Sequence, residues 1–590
     1  MAATVAVAFV VYAVLAHAVE SPRVFSDELL YFDAAAAVVE GDGLTIRGRP
    51  YRYAPLYPAL LVPFHWIAPD REAAYELAKT LNALLFALTA LPVFLLARRV
   101  LPAWHSAAAA ALSVAIPSAS YVSVVMTESL AYFACSWALL AIVLALERPS
   151  VLRQFAALLS IVVAAGVRTQ FLLLFAVYLL GLVLLPLIVP GRRARPKATL
   201  ASLWPSWGAL ALGAGSLVVA AAFGSDASSR PVGPYSALWR SYDPGDVGRW
   251  LVYHLANIEL YLAVVPLAVA PIVLASMFGR GRRGSERQAA FLVLFVTVNA
   301  VLLLLTAAFN TTEYAVETFH DRTLFYVIPL WLIVLFAWLA AGTPRPRLAV
   351  AVGAGLALAL PLLLPFSEYA KDDARQQFNG VGTTLWASID QAAGGTGSGR
   401  VVLIAFALVL VVATLLLRDR SRLLPLAVAA VFVLSGALSW HLAARAATTW
   451  AATVPREERR WLDRQVPPGR SVTAIAAVET CRSFLPRDAF YLTEFFNASV
   501  RQVGHVGTPP DSLGSATVSV TSNGRLALPS GAPLVADYVL AQPAIRFVGR
   551  RVAEGTSARL ALWEIGGVVR ALGVDTTREL EAVACSNTLR

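Results

Sequence analysis

Charge is what this sequence has least of. Only 14% of its 590 residues are charged, against about 25% in soluble chains, while 58% are hydrophobic and the mean hydropathy is +0.66. Such a deficit excludes a chain solvated by water along most of its length, so lipid must take that place. Lysine is scarcer still: Lys79, Lys197 and Lys371 are the only three among 48 basic residues. The dominance of Ala and Arg points to a GC-rich, bacterial genome, on codon grounds alone. The net charge is +11, yet no basic run is interleaved with exposed aromatics on a soluble stretch. The charge therefore reads as membrane orientation and argues against nucleic-acid binding. There is no Walker loop and no GxGxxG after a strand, which excludes the common nucleotide cradles. His65, His254 and His320 are scattered without HExxH or comparable spacing, so no metal site is expected. Repeats and low-complexity tracts are absent too.

What is present is a succession of apolar runs, many near the ~20 residues that cross hydrocarbon as a helix. Thirteen are expected, at 2–19, 79–97, 104–123, 128–146, 154–167, 171–189, 203–223, 257–278, 289–308, 324–341, 347–365, 401–417 and 423–443. The first lacks a basic leader and a cleavage site, so it reads as a retained membrane helix. Every second connection is short and basic: Arg98-Arg99, Arg148 with Arg153, 191–197, 280–287, 343–347 and 418–422. Short Arg-rich loops stay in the cytoplasm, which predicts a cytoplasmic N-terminus and an extracytoplasmic C-terminus on a multi-pass plasma-membrane protein.

After residue 445 the composition turns polar. Runs such as "SVTAIAAV" (471–478), "LVADYVLA" (534–541) and "ARLALWEI" (558–565), set between Gly and Pro, predict a small α/β or β-rich domain over 446–590. The stretch 455–469 reads as an amphipathic helix joining it to the membrane part, 1–445. Cys135 falls inside a span, whereas Cys481 and Cys585 share the exported domain, where an oxidising exterior permits a disulfide. Such a bridge would close a loop of about a hundred residues; two free thiols too far apart remain the alternative.

The chemistry-bearing residues gather after the first run, in "VFSDELLYFDAAAAVVEGDG" (24–43). Ser26 is suited to cap a helix starting at Asp27, and Gly41 and Gly43 to end it. Asp27 and Glu28 would then lie in the first turn, where the helix dipole favours anions even without any further role. "PLYPALLVPFHWIA" (55–68) predicts a second, interfacial helix, so the acids would sit where lipid meets water. A carboxylate there can take the proton of an acceptor hydroxyl. Arg168, in the very short "GVRTQ" between two spans, is costly amid apolar sequence unless paired or functional. Arg322 opens another span and has Asp321 beside it. Arg47, Arg49 and Arg52 form the tyrosine-flanked patch "RGRPYRY", fit for a phosphate or for anionic lipid headgroups.

An Asp-Glu pair in the first external loop, an aromatic, a helix, Gly-x-Gly and a Tyr/Pro-rich stretch together resemble the GT-C glycosyltransferases. "SDELLYFDAAAAVVEGDG…YRYAPLYPALLVP" is similar in particular to the branch of protein O-mannosyltransferases and aminoarabinose transferases. The resemblance covers roughly the first hundred residues, with two short echoes beyond: "VMTESLAYF" (125–133), where Glu128 fills the place of a second acid, and "DRTLFYVIPL" (321–330). It implies a GT-C type α-helical polytopic membrane protein with a C-terminal extracytoplasmic domain. It also implies an inverting transfer of a sugar, mannose, arabinofuranose or similar, from a polyprenyl-phosphate donor to a glycan or other hydroxyl acceptor. In those terms Asp27, Glu28 and Glu128 are the catalytic candidates, with Asp27 as base and Glu28 or Glu128 orienting acceptor or sugar. Arg168, Arg322, Arg52 and Arg49 are candidates for the donor phosphate, whose growing charge needs cations. Tyr53, Tyr57 and His65 are candidates for the acceptor. Tyr491, Phe495 and Phe496 could face a glycan or pack in a core. No cofactor is firmly implied; a divalent metal is compatible with the chemistry, but no ligand spacing indicates one. The rival class is a transporter or flippase of lipid-linked sugars, which would place charge near the bilayer midplane on broken, repeated helices. Here the charges gather at helix ends.

Overall fold

The computed structural model describes residues 1–23, 25–194, 201–212, 243–312, 315, 318–371, 378–395, 397–416, 423–476, 484–506, 515–521 and 523–586. The expected Cys481–Cys585 bridge, the second half of the expected span 203–223 and the basic loop 418–422 lie outside the described residues.

The apolar runs fold into a helical membrane bundle. Among the described residues six helices are long and apolar enough to cross a bilayer: Arg71–Ala97, Glu128–Glu147, Thr169–Ile188, Glu286–Asn310, Asp321–Ala340 and Leu424–Ala451. Two bent pairs raise the number to eight. Others of the thirteen expected runs form shorter apolar helices, among them α1 (Ala2–His17), Val151–Val167, Arg347–Leu363 and Gly399–Thr414.

Two expected spans are not continuous. The run 104–123 is helical only to Val114 and then turns by 52° into the 3₁₀ turn Pro117–Ser123. Pro117 forces Ile116 into an extended conformation, φ −71°, ψ 153°, as the residue before a proline must be. The run 257–278 breaks more sharply, by 105°, between Pro244–Tyr261 and Val265–Arg282. Ala263 and Val264 both take positive φ there, an outlier for a β-branched residue, and Pro266 starts the next helix. Beyond the break, a Cβ on Gly353 would lie 2.0 Å from the carbonyl oxygen of Ala268, so Gly there lets two helix backbones touch.

The two ends of the bundle differ. At one, Arg99 pairs with Glu147, and Arg192 caps the helix ending at Glu147 by donating to the carbonyls of Leu146 and Glu147 at 2.6 and 2.7 Å. Arg192 also meets Glu286 at 3.1 Å. This end joins the basic loops at Arg98-Arg99, 191–194 and 280–287. At the other end lie the first connecting segment and the C-terminal domain.

The first segment contains α2 (Phe25–Val39), the hairpin β1 (Thr45–Ile46) and β2 (Arg49–Pro50), and α3 (Leu56–Ile67). Helix α2 begins before the expected cap: Ser26 is already helical, though Asp27 and Glu28 still occupy the first turn. Gly41 and Gly43 follow its end at φ 88° and 67°, a conformation that side chains with a Cβ resist. On α3, Trp66 and Ile67 stand exposed, as an interfacial helix requires.

The helix Leu424–Ala451 runs past the expected boundary at 445. The single amphipathic helix expected over 455–469 is instead two short turns, Arg456–Glu458 and Trp461–Gln465. Between them Arg459 turns inward, donating to Glu72 at 2.7 Å and stacking over Phe496, while Pro467 and Pro468 follow the second turn. The domain itself is a seven-stranded mixed sheet in the order β6-β5-β4-β3-β7-β9-β8. Its centre is β3 (Val472–Ala476), buried throughout and parallel to both β4 (Val500–Val506) and β7 (Val535–Ala541). The edges are built from β5 (Ala516–Val520) with β6 (Leu526–Ala527), and from β8 (Arg550–Gly555) with β9 (Leu560–Val568). The helix Phe484–Phe496 crosses from β3 to β4. Its Phe495 stacks on Phe32 of α2 with centroids 4.6 Å apart, and Tyr75 meets the same ring edge-on. Tyr491, Phe495 and Phe496 are thus core residues.

Candidate active site

Four charged side chains from distant parts of the sequence meet at the end of the bundle that carries α2. Asp27 comes from the first turn of α2 and Glu128 from the first turn of the helix Glu128–Glu147. Arg168 follows the helix Val151–Val167, and Arg322 lies in the single turn Asp321–Leu324. Arg322 Nη2 donates to Asp27 Oδ2 at 2.7 Å, and its Nε donates to Glu128 Oε1. Arg168 Nη1 donates to the same Glu128 oxygen at 2.6 Å and to the Tyr326 hydroxyl at 3.1 Å. Glu128 is therefore the hub that holds two guanidiniums in place.

Access is graded across the cluster. The Glu128 side chain is 1% exposed, Arg168 and Arg322 are each 16% exposed, and Asp27 reaches 29%. Glu128 Oε2 is buried with no partner among the described residues. A guanidinium offers five N–H donors, and Arg168 spends only Nη1 on protein partners among the described residues. The cluster thus joins a reachable carboxylate to cations with unspent hydrogen-bonding capacity. Phe378 lies under Arg322, 5.5 Å from its guanidinium carbon to the ring centroid.

The other candidates are not brought to this cluster. Glu28, next to Asp27 in sequence, is fully buried. It accepts from the backbone N–H groups of Arg23 and Val125 at 2.7 and 2.9 Å and from the Tyr75 hydroxyl at 3.1 Å. It ties α2 to the segment that leads into the helix Glu128–Glu147. Tyr57 is buried and donates to Asn82 at 3.1 Å. His65 packs against Phe32; burial, with Arg71 nearby, pushes its imidazole down to about 3. Tyr53 is half-buried beside Tyr51. Arg49 and Arg52 are exposed, on β2 and just after it. Arg47, the third of that patch, is turned inward onto Glu494.

Sequence reasoning passed over Tyr326, although it lies one helical turn beyond Arg322 in the quoted "DRTLFYVIPL". Spacing of four is what puts two side chains on one helix face. Among the described residues no group of three or more His, Cys, Asp or Glu side chains is arranged to hold a metal ion.

This architecture, a helical membrane domain with helices at one end and a following sheet domain, is the GT-C glycosyltransferase fold. ArnT from Cupriavidus metallidurans bound to undecaprenyl phosphate is similar to it over 97% of this chain and 98% of its own, at 15% identity and a TM-score of 0.50. ArnT in the apo state matches over 95% and 97%, at 14% identity and the same TM-score. The oligosaccharyltransferase of Archaeoglobus fulgidus matches over 91% of this chain and 69% of its own, at 12% identity and a TM-score of 0.41. No family model and no curated protein matches the sequence.

Proposed function

We propose that the protein is an inverting, membrane-embedded glycosyltransferase that moves a sugar from a polyprenyl-phosphate carrier to a hydroxyl of a glycan acceptor. The observation that carries this reading is the joining of Asp27, the most accessible acid of the cluster, to Arg322 and through Glu128 to Arg168. In the proposed step the acceptor oxygen attacks the anomeric carbon on the face opposite the phosphate. The bond from that carbon to the phosphate oxygen breaks, its electron pair leaves with the lipid phosphate, and the hydroxyl proton passes to Asp27. Arg168 and Arg322 offset the charge that grows on the departing phosphate. Glu128 orients both arginines and is a positioning residue. Glu28, anchored by hydrogen bonds from Arg23, Val125 and Tyr75 behind the cluster, has a structural part in this scheme.

The donor enters from the bilayer, and the chemistry lies on the extracytoplasmic side of a bacterial plasma membrane, with the N-terminus and the basic loops in the cytoplasm. In a background lacking Cys481 and Cys585, cysteines at Ser285 and Ser530 should label from opposite sides of intact cells, Ser285 from the cytoplasm. Labelling of both from outside contradicts the topology.

The function is tested by incubating the purified protein with a panel of polyprenyl-phosphate sugars, mannose and arabinofuranose among them, and a glycan acceptor. Mass spectrometry should find one sugar added to the acceptor, with lipid phosphate released. Passage of intact donor across a vesicle bilayer without cleavage would identify a carrier instead.

A further inference from the structure

Arg322 reaches Asp27 and Glu128 with its guanidinium, and a second set of contacts stands behind it. Asp321, its neighbour in the turn Asp321–Leu324, is 3% exposed and spends both oxygens elsewhere. Oδ1 accepts from the side-chain amide of Asn257, and Oδ2 accepts from the backbone N–H of Gly382 at 2.7 Å. A Cβ on Gly382 would lie 2.6 Å from the Tyr261 ring and 2.9 Å from Asp321 Oδ2, so glycine is what lets the chain come this close. Asp321 thereby ties the turn that carries Arg322 to the 3₁₀ turn Val381–Thr383 and to the helix Pro244–Tyr261.

Four residues before Gly382, the same segment lays Phe378 against Arg322, with the guanidinium carbon 5.5 Å from the ring centroid. The ring is itself fixed: Tyr121 meets it edge-on at 5.4 Å and donates its hydroxyl to the Phe378 carbonyl at 2.8 Å. Arg23 lies 5.9 Å from the same centroid. A cation over an aromatic face is attracted by the ring quadrupole, and that attraction does not depend on a proton. The bond to Asp27 does. Once Asp27 has taken the acceptor's proton it is neutral, and a hydrogen bond to a neutral group is roughly half as strong as one to a carboxylate. That loss falls where charge grows on the leaving phosphate.

We propose that Asp321 and Phe378 are positioning residues for Arg322: Asp321 fixes the turn and Phe378 supports the guanidinium face, so the cation keeps its aim at the phosphate while Asp27 is protonated. The inference rests on the transferase reading and adds to it what holds a phosphate cation through the transfer. Asp321 acts here by its hydrogen bonds to Asn257 and Gly382 and takes no proton.

The test reads affinity for undecaprenyl phosphate, with no sugar and no acceptor, in the full-length protein in nanodiscs. Asp27→Asn stands in for the protonated acid. Phe378→Leu should weaken binding by less than about threefold while Asp27 is present, and by about tenfold or more in the Asp27→Asn background. Phe378→Tyr, which keeps the aromatic face, should restore binding in that background. Equal losses in the two backgrounds, or no recovery with Tyr, overturn the proposal and leave the transferase reading standing. Absence of binding by the native protein removes that reading and the proposal with it. In turnover, Asp321→Ala should lower kcat about tenfold with the donor KM within about threefold, the pattern of an interaction used in the transition state. Asp321→Asn should recover most of that loss, because its amide can still accept from Gly382 and can donate to Asn257 Oδ1, which is buried with no partner among the described residues. Equal losses with Ala and Asn would make the carboxylate charge itself the requirement and overturn the positioning role.

Discussion

At its first turn α2 carries Asp27 into a cluster with open capacity; two turns further on, the same helix carries Asp33 into a closed one. Asp33 pairs with Arg71, whose Nε also donates to the carbonyl of Phe495 at 2.6 Å. Nearby, Arg47 and Glu494 form a bidentate pair at 2.6 and 2.7 Å, each side chain only 3% exposed, and Arg47 also reaches Ser515. These closed pairs join the first segment to the C-terminal domain. The residue types are the same in both places, and the difference is saturation. In the Arg47–Glu494 pair both carboxylate oxygens and all three guanidinium nitrogens meet protein partners, so that pair holds the two parts together. In the open cluster, among the described residues, Glu128 keeps an orphaned oxygen and Arg168 keeps unspent donors. Buried polar groups are normally satisfied, and a place where they are not is where a substrate's own polar atoms can enter.

That contrast can be broken from either side. The largest effect on stability should come from Arg47→Ala, which leaves the Glu494 carboxylate buried and unpaired, at a cost of about 3–5 kcal/mol. Thermal unfolding and limited proteolysis should show the C-terminal domain released from the first segment. A melting temperature unchanged by the substitution would show that the pair is not cohesive. Arg168→Gln should do the opposite. Affinity for a polyprenyl-phosphate sugar should drop about tenfold or more, the scale of a lost charge-assisted contact, while thermal stability changes little. Unaltered donor affinity would place Arg168 among the structural residues.

A smaller effect sharpens the comparison through pH. Burial pushes the Asp33 carboxyl up to about 6, against the opposing pull of the Arg71 guanidinium. A carboxyl raised on folding favours the folded state fully below its unfolded value, near 4, and that contribution is lost as pH rises through about 6. The difference in melting temperature between the protein and its Asp33→Asn variant should therefore shrink or reverse between pH 4 and 6.5, to the disadvantage of the native Asp. A difference that grows in favour of Asp33 over that interval would show that Arg71 outweighs burial.

Much of this could be seen in the sequence, for reasons that also explain what could not. Arg168 and Arg322 stand out because a charge beside long apolar runs is conspicuous, and Asp27 because it opens a helix that two glycines close. Glu28 stands beside Asp27 as a candidate to orient acceptor or sugar, but adjacent residues on a helix point about 100° apart, so Asp27 faces the cluster while Glu28 is turned into the interior. Residue type alone makes Tyr57 and His65 acceptor candidates; the face of α3 on which each falls decides their burial. Hydropathy sees the run 257–278 as continuous because Ala263 and Val264 are as apolar as their neighbours. The break is a matter of φ, which composition does not carry. The pair Arg47–Glu494 joins residues 447 positions apart, and no local pattern announces such a contact.

The most direct test of the central claim is turnover by Asp27→Asn, measured with a polyprenyl-phosphate sugar and the acceptor identified from the panel, alongside the melting temperature. The substitution keeps the shape of the side chain and a hydrogen-bonding oxygen near Arg322 but removes the base. Turnover should fall about 10²-fold or more with folding intact and donor affinity within a few-fold of the native protein. Near-native turnover by a folded Asn variant would contradict the assignment of Asp27 as the base and the mechanism built on it.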